Sequence, residues 1–127
     1  MKQVFIEEEI FDKIDFTQNP LSKGEYEYCT FLNCDLSYAS LSDFKFLECE
    51  FSGCNISLAK LTRTALIDIK FKNCKMLGLN FGDCNEFGFA VNFDTCILDR
   101  SSFVDTTSAL KKRVKLKQAV FKNSQLY

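Results

Sequence analysis

Seven thiols, 17 carboxylates and 16 cationic side chains carry the reactive chemistry of this 127-residue chain, which has no histidine. Without imidazole there is no histidine general acid or base, no Cys–His nucleophile and no histidine-containing zinc site. The cysteines remain as candidates for a metal or for disulfides. Zinc needs four ligands that converge tetrahedrally, and Cys29, Cys34, Cys49, Cys54, Cys74, Cys84 and Cys96 contain no C-x-x-C pair. A carboxylate acting as a general acid needs desolvation to tune it. Here the acids are strewn along the chain among polar residues, and with only five glycines there is no Gly-rich phosphate loop. The chain therefore reads as a non-enzyme, with no catalytic residue, no metal site and no cofactor.

What positions these groups is a repeat. Every fifth residue from Phe31 onward is large and apolar: Leu36, Leu41, Phe46, Phe51, Ile56, Leu61, Leu66, Phe71, Met76 and Phe81 follow it. Leu, Ile, Val, Met and Phe make up 42 of the 127 residues, so eleven such hits in one of five registers have a chance probability on the order of 10⁻⁵. Two residues before each stands a partner, and eight of the eleven partners are Cys, Ala or Thr. A period of five matches neither a helix nor a plain strand. It matches a chain that turns a corner every five residues and points one large and one small side chain inward per side. Residues twenty apart then sort into columns: Phe31, Phe51, Phe71; Leu36, Ile56, Met76; Leu41, Leu61, Phe81; and Phe46 with Leu66.

The pattern has irregularities. Before Cys29 it is loose, with Glu9 and Gly24 at small inward positions although Ile14, Phe16 and Leu21 fit. Residues 1–28 are expected to form an incomplete first coil and an N-terminal cap. Glu86 falls where a large apolar residue belongs, and Phe87, Phe89, Val91 and Phe93 alternate with a period of two. A short strand or a bulge should interrupt the coil near residues 86–93. The five-residue pattern returns two residues out of step at Phe93, Leu98 and Phe103. Residues 104–113 read as a loop, and residues 114–127 as a last coil in the original register, with Leu126 at a central inward position and a C-terminal end left open.

Stretches such as Cys34-Asp35-Leu36-Ser37-Tyr38 and Cys54-Asn55-Ile56-Ser57-Leu58 resemble the A/C-D/N-L-x-x unit of the pentapeptide-repeat family. The resemblance covers Cys29 to Phe103 and then Val114 to Leu126. It implies an all-β, right-handed quadrilateral β-helix, a solenoid of about five coils with four pentapeptides per coil, in one domain over residues 1–127. In this frame six cysteines share the small inward slot and Cys96 takes it in the shifted register. They are expected to be free, buried thiols that behave as small hydrophobes in a reducing, cytoplasmic compartment.

The run Phe71-Lys72-Asn73-Cys74 and the single mid-chain break are similar to those of family members that confer quinolone resistance. That resemblance implies a rod that imitates duplex DNA and binds DNA gyrase or topoisomerase IV. The alternative is a structural or protein-interaction scaffold with no topoisomerase connection. Duplex DNA carries one charge per ~1.7 Å, whereas the net charge here is −1 and about five coils at ~4.8 Å make a rod of only about 25 Å. The charge is segregated: residues 1–27 sum to −4, residues 28–105 to −3, and residues 106–127 to +6. Outward acids on the body, Asp43, Glu48 and Glu50, are the candidate partner-binding residues. Neither direct nucleic-acid binding nor a membrane span is expected, since no basic excess and no apolar run of ~18 residues is present. A homodimer through the C-terminal coil would cover that open end.

Overall fold

A backbone that buries one large side chain in every five residues has to wind around its own core, and each turn of the winding then lies on the last. A computed structural model describes residues 3–103 and 119–125 in this form. Ten short strands are β1 (Val4–Glu7), β2 (Ile10–Asp12), β3 (Gly24–Glu27), β4 (Thr30–Leu32), β5 (Lys45–Leu47), β6 (Glu50–Ser52), β7 (Ala65–Ile67), β8 (Ile69–Lys72), β9 (Val91–Asp94) and β10 (Ala119–Lys122). They make two wholly parallel sheets, one ordered β1-β3-β5-β7 and the other β10-β9-β8-β6-β4-β2. In the second, Phe11 pairs with Phe31, Phe31 with Phe51 and Phe51 with Phe71, each twenty residues on. Two further faces are joined by single bridges, Asp15–Asp35–Asn55–Lys75 and Ser40–Lys60. Four faces per twenty residues is the quadrilateral solenoid that the family resemblance implies, and it has about five coils.

The corners have a periodicity that the sequence does not announce. At every fifth residue from Tyr28 to Gly78, φ lies between +49° and +67°. Only Gly53 and Gly78 of these are glycines; left-handed backbone disfavours other residues by roughly 1–2 kcal/mol each. What holds the corners is hydrogen bonding. On the third face the Leu36 carbonyl accepts from Ala39 N–H at 3.1 Å, with Tyr38 at φ +60°, the form of a type II turn. Where an Asp or Asn precedes the inward residue of this face, it fastens the same corner. Asp35 Oδ1 accepts from Ser37 N–H at 3.0 Å and Asn55 Oδ1 from Ser57 N–H at 3.0 Å. These side chains are consumed locally in Asx turns.

The core is a set of ladders. Phe11, Phe31, Phe51, Phe71, Phe93 and Phe121 stack face to face with centroids 4.7, 4.5, 5.3, 5.5 and 5.1 Å apart. Leu36, Ile56, Met76 and Leu98 form the next column, all fully buried. The small slot is more than an accommodation of size. Cys49, Cys54 and Cys74 donate S–H to the carbonyls of Tyr26, Phe31 and Phe51 at 3.2, 3.3 and 3.1 Å. Thr64 Oγ1 donates to Leu41 at 2.7 Å and Ser101 Oγ to Met76 at 2.9 Å in the same way. Each of these slot residues thus ties its coil to the carbonyl of a large inward residue one coil earlier. Cys, Thr and Ser share the position because each is small and each can donate.

The irregular regions resolve as follows. The first coil is better ordered than its sequence suggests: β1 and β2 pair in full twenty-residue register with β3 and β4. Gly24 belongs there, since a Cβ on it would lie 2.0 Å from the Val4 carbonyl oxygen. Looseness is confined to the fourth face, where Thr17 to Pro20 detour outward and leave an open apolar recess of about 320 Å³ against Tyr38 and Leu41. The break near residue 86 is a bulge. Glu86, Phe87 and Gly88 are exposed, Phe87 at 83%, while Phe89 enters the core. From there pairing runs at twenty-two residues, Ile69 with Val91 and Lys75 with Ile97, which is the two-residue shift read from the sequence. The expected strand alternation fails at Phe87, because the extended strand begins only at Val91. Residues 104–118 and 126–127, with the expected loop and Leu126, lie outside the described residues. Beyond them β10 pairs with β9 and sets Phe121 on Phe93.

All seven cysteines are free and buried. Burial pushes the Cys49 thiol up to about 12, and burial likewise carries the Tyr26 hydroxyl up to about 12. In the unfolded chain these groups ionise near ~8.5 and ~10. Between those values and 12 the unfolded state holds fewer protons, so the stability they contribute is present below about pH 8 and is lost as pH rises. The urea midpoint should fall between pH 7.5 and 10.5, and thiol reagents at pH 7.5 should label the protein rapidly only after unfolding; an unchanged midpoint with rapid native labelling contradicts the ladder. Phe51→Ala, in the centre of the phenylalanine column, should destabilise the protein by ~3–5 kcal/mol in denaturant titration because rigid coils on both sides prevent collapse into the gap. A loss below about 1 kcal/mol would show that the column is not the core.

Candidate protein-binding surface

With side chains alternating in and out, the outward chemistry is set by which residues flank each corner. The acids divide into two groups. Some are bound within the fold: Asp15 Oδ1 accepts from Thr17 N–H at 2.9 Å, and the Thr17 hydroxyl bond holds its carboxyl below the usual range. Asp35 is held by Ser37 N–H and Oγ. Asp43 receives two bonds from Arg63, at 2.7 and 2.8 Å, and lies 3.8 Å from Lys23. The Arg63 fork lowers the Asp43 pKa, and the two charges cancel on a corner exposed to water. Asp43 is thereby removed as a free negative charge, although the sequence nominates it.

The second group lies together. The corner between the two sheets carries Glu8, Tyr28, Glu48 and Asp68 in one column, each with left-handed φ. Glu8 N–H donates to Glu27, Tyr28 N–H to Leu47 and Glu48 N–H to Ile67, so the column is continuous from coil to coil. Glu7 and Glu27 lie just before this corner at the ends of β1 and β3, Glu9 follows it, and Glu50 opens β6 beside it. These seven carboxylates have no ion-pair partner among the described residues; the nearest base in register is Lys70, opposite Glu50. Glu48 is exposed and Glu50 half-buried.

Glu48 and Glu50, but not Asp43, therefore share one surface, and Glu7, Glu8, Glu9, Glu27 and Asp68 join them. Sequence reading missed these five because it did not locate the corner; the signal was present in the twenty-residue spacing of Glu8, Glu48 and Asp68. Four coils at ~4.8 Å span about 14 Å, over which duplex DNA carries about eight charges. The corner matches that density locally, on one edge of the rod. Chemically it can attract cations, guanidinium groups and a basic protein groove. It has no desolvated acid, no nucleophile with an adjacent base, and no converging donor set. No group of three or more His, Cys, Asp or Glu that could hold a metal occurs among the described residues. No helix there is long and apolar enough to cross a membrane.

Residues 25–87 match the family model for a pentapeptide repeat region. No curated protein matches the chain. Among solved structures, a trypsin-treated variant of QnrB1, a plasmid-mediated fluoroquinolone resistance protein, aligns over 95% of this chain and 54% of its own at 23% identity, with a TM-score of 0.42. A second trypsin-treated QnrB1 variant aligns over 94% and 56% at 24% identity, with a TM-score of 0.43. The pentapeptide-repeat protein Rfr23 from the cyanobacterium Cyanothece 51142 aligns over 97% and 84% at 11% identity, with a TM-score of 0.40. The chain spans about half the length of the two QnrB1 chains. A five-residue period that continues on both sides of the matched segment, with its slot bonds and left-handed corners, makes this chain a member of the pentapeptide-repeat family.

Proposed function

We propose that the chain is a non-catalytic cytoplasmic binding protein that presents its acidic corner to the DNA-binding surface of a type II topoisomerase, DNA gyrase or topoisomerase IV, and lowers that enzyme's sensitivity to quinolones. The observation that carries this reading is the run of seven unpaired carboxylates on one straight corner. A groove built to bind phosphates is lined with Lys and Arg, and a rigid edge bearing a similar density of negative charge can occupy it without ordering costs. Nothing in this scheme requires contact with nucleic acid. The scaffold reading is supported by the internal use of Asp15, Asp35 and Asp43, which leaves the rest of the body close to neutral.

The test is gyrase supercoiling with a quinolone present, with and without excess protein, together with capture of gyrase on immobilised protein. Drug inhibition should be relieved, and affinity should fall about tenfold or more between 50 and 200 mM salt, as expected of charge–charge association. Replacing Glu8, Glu48 and Asp68 with Gln, Gln and Asn should weaken capture strongly without unfolding the rod, because these side chains reach outward from corners. Asp43→Asn should leave capture nearly unchanged, since Arg63 already neutralises that acid. Unaltered drug inhibition with no gyrase retained would eliminate the topoisomerase reading and leave the scaffold.

A further inference from the structure

The fourth face of the solenoid lacks a rung beside Ser40. Phe16 N–H still donates to the Asp35 carbonyl at 2.9 Å, as the repeat requires. The next residues turn away: Gln18 and Asn19 N–H both donate back to the Asp15 carbonyl at 3.3 Å, and Thr17 N–H to Asp15 Oδ1 at 2.9 Å. Pro20, which follows, has no N–H to give to a ladder. One side of Ser40 is paired normally. Lys60 N–H donates to the Ala39 carbonyl at 2.8 Å, and Leu41 N–H to the Lys60 carbonyl at 2.9 Å. On the other side the same pattern calls for Ser40 N–H to reach the Asn19 carbonyl and for Leu21 N–H to reach the Ser40 carbonyl. Neither bond forms, and Ser40 N–H and carbonyl have no partner among the described residues. Ala39 is left half-buried, whereas Ala59, twenty residues on, is buried.

The missing rung coincides with the open recess of about 320 Å³, whose lining includes Phe16, Leu21, Tyr38 and Leu41 as well as Ser37 and Ser40. No lining residue is charged, so an ion or a charged side chain would lose its water there without gaining a partner. What the site does offer is a strand donor and acceptor in parallel register above an apolar hollow. An extended peptide that adds to a sheet uses this combination: main-chain bonds give the affinity, and pockets for alternate side chains give the choice. We infer that the recess binds an extended, uncharged peptide segment of another protein. The segment pairs with Ser40 as a parallel strand and turns a small apolar side chain into the hollow, taking the place that Asn19 vacates. The turn fastened on Asp15 holds the recess open beforehand, which spares the ordering cost of opening it. Tyr38, 75% exposed on the adjoining corner, supplies an aromatic wall. That corner lies two corners round the coil from Tyr28 and the acidic column, so the site is separate from the surface proposed for a topoisomerase.

The probe is an acetylated and amidated hexapeptide, Ser-Tyr-Ala-Ser-Leu-Ser, which copies residues 37–42 and can stand to Ser40 as Ser40 stands to Lys60. Titrated into the full chain labelled with nitrogen-15, it should shift the Ser40 and Tyr38 amide resonances and slow hydrogen exchange at Ser40 about tenfold or more. The same peptide N-methylated at its leucine lacks the donor for the Ser40 carbonyl. The same peptide with aspartate in place of its alanine brings a charge into the neutral hollow. Each should bind about tenfold more weakly or worse. On the protein, Ser40→Pro removes the unpaired N–H without breaking a native hydrogen bond and should weaken binding about tenfold. Y38N removes the aromatic wall while keeping a residue that accepts a left-handed corner, and should weaken binding about fivefold. Circular dichroism of Y38N should match the parent, since Tyr38 faces solvent. No shift at Ser40 with millimolar peptide would overturn the inference. So would shifts confined to other strand edges such as β2, or equal binding of the N-methylated peptide, which marks an apolar contact without strand pairing.

Discussion

Each coil of this protein is held by hydrogen bonds to the coils on either side, and those bonds exist only if the chain returns to the same corner after a fixed number of residues. Leu36 N–H reaches the Asn55 carbonyl, and Asn55 N–H the Cys34 carbonyl, because twenty residues complete the circuit. An isolated pentapeptide could form neither bond, nor could it bury its inward residue. The stability of the fold therefore resides in the interfaces between coils, as in other solenoids. It also explains how the chain tolerates the left-handed backbone at corners such as Leu58 and Arg63: the strain of each corner is offset by the turn and inter-coil bonds that the corner makes possible. Where the residue count changes, at Glu86 to Gly88, the extra residues are expelled and the circuit closes two residues later.

The same constraint sorts the polar groups. A carbonyl that already accepts a bond along a ladder or turn has a second lone pair, and in a dry interior that lone pair is satisfied by the slot residue of the next coil. Cys74 serves the Phe51 carbonyl and Thr64 the Leu41 carbonyl. The abundance of thiols is thus a consequence of wall chemistry. The thiols of Cys54 and Cys96 on either side, together with burial, hold Cys74 protonated. Asp and Asn preceding an inward residue are likewise occupied by the turn they stabilise. Of the acids not held in this way, seven lie on or beside the one corner between the two sheets.

Much of this was legible in the residues. The large inward series and its small partners specify the solenoid because burial is a strong, periodic signal, and the two-residue slip at the bulge follows from counting Phe71 to Phe93. Three things were not legible. Phe87 reads as part of an alternating strand, since apolarity alone cannot distinguish a residue thrown out by a bulge from one facing in. Gly24 and Glu9 read as defects of the first coil, although Gly24 is required there by close approach of the Val4 backbone. Asp43 reads as a free outward acid because its neutralising partner, Arg63, is twenty residues away and becomes its neighbour only on coiling. Charge pairing across coils follows from three-dimensional register, so individual site residues are the least readable part of such a sequence.

We propose that the unpaired acidic corner competes for a gyrase surface that otherwise holds DNA. The most direct measurement is a competition titration: labelled protein bound to gyrase at low salt, with linear duplex DNA added stepwise. DNA should displace the protein completely, and the apparent affinity of the protein should fall in proportion to the free DNA present. A protein that stays bound at saturating DNA, or that never binds gyrase at all, would contradict it.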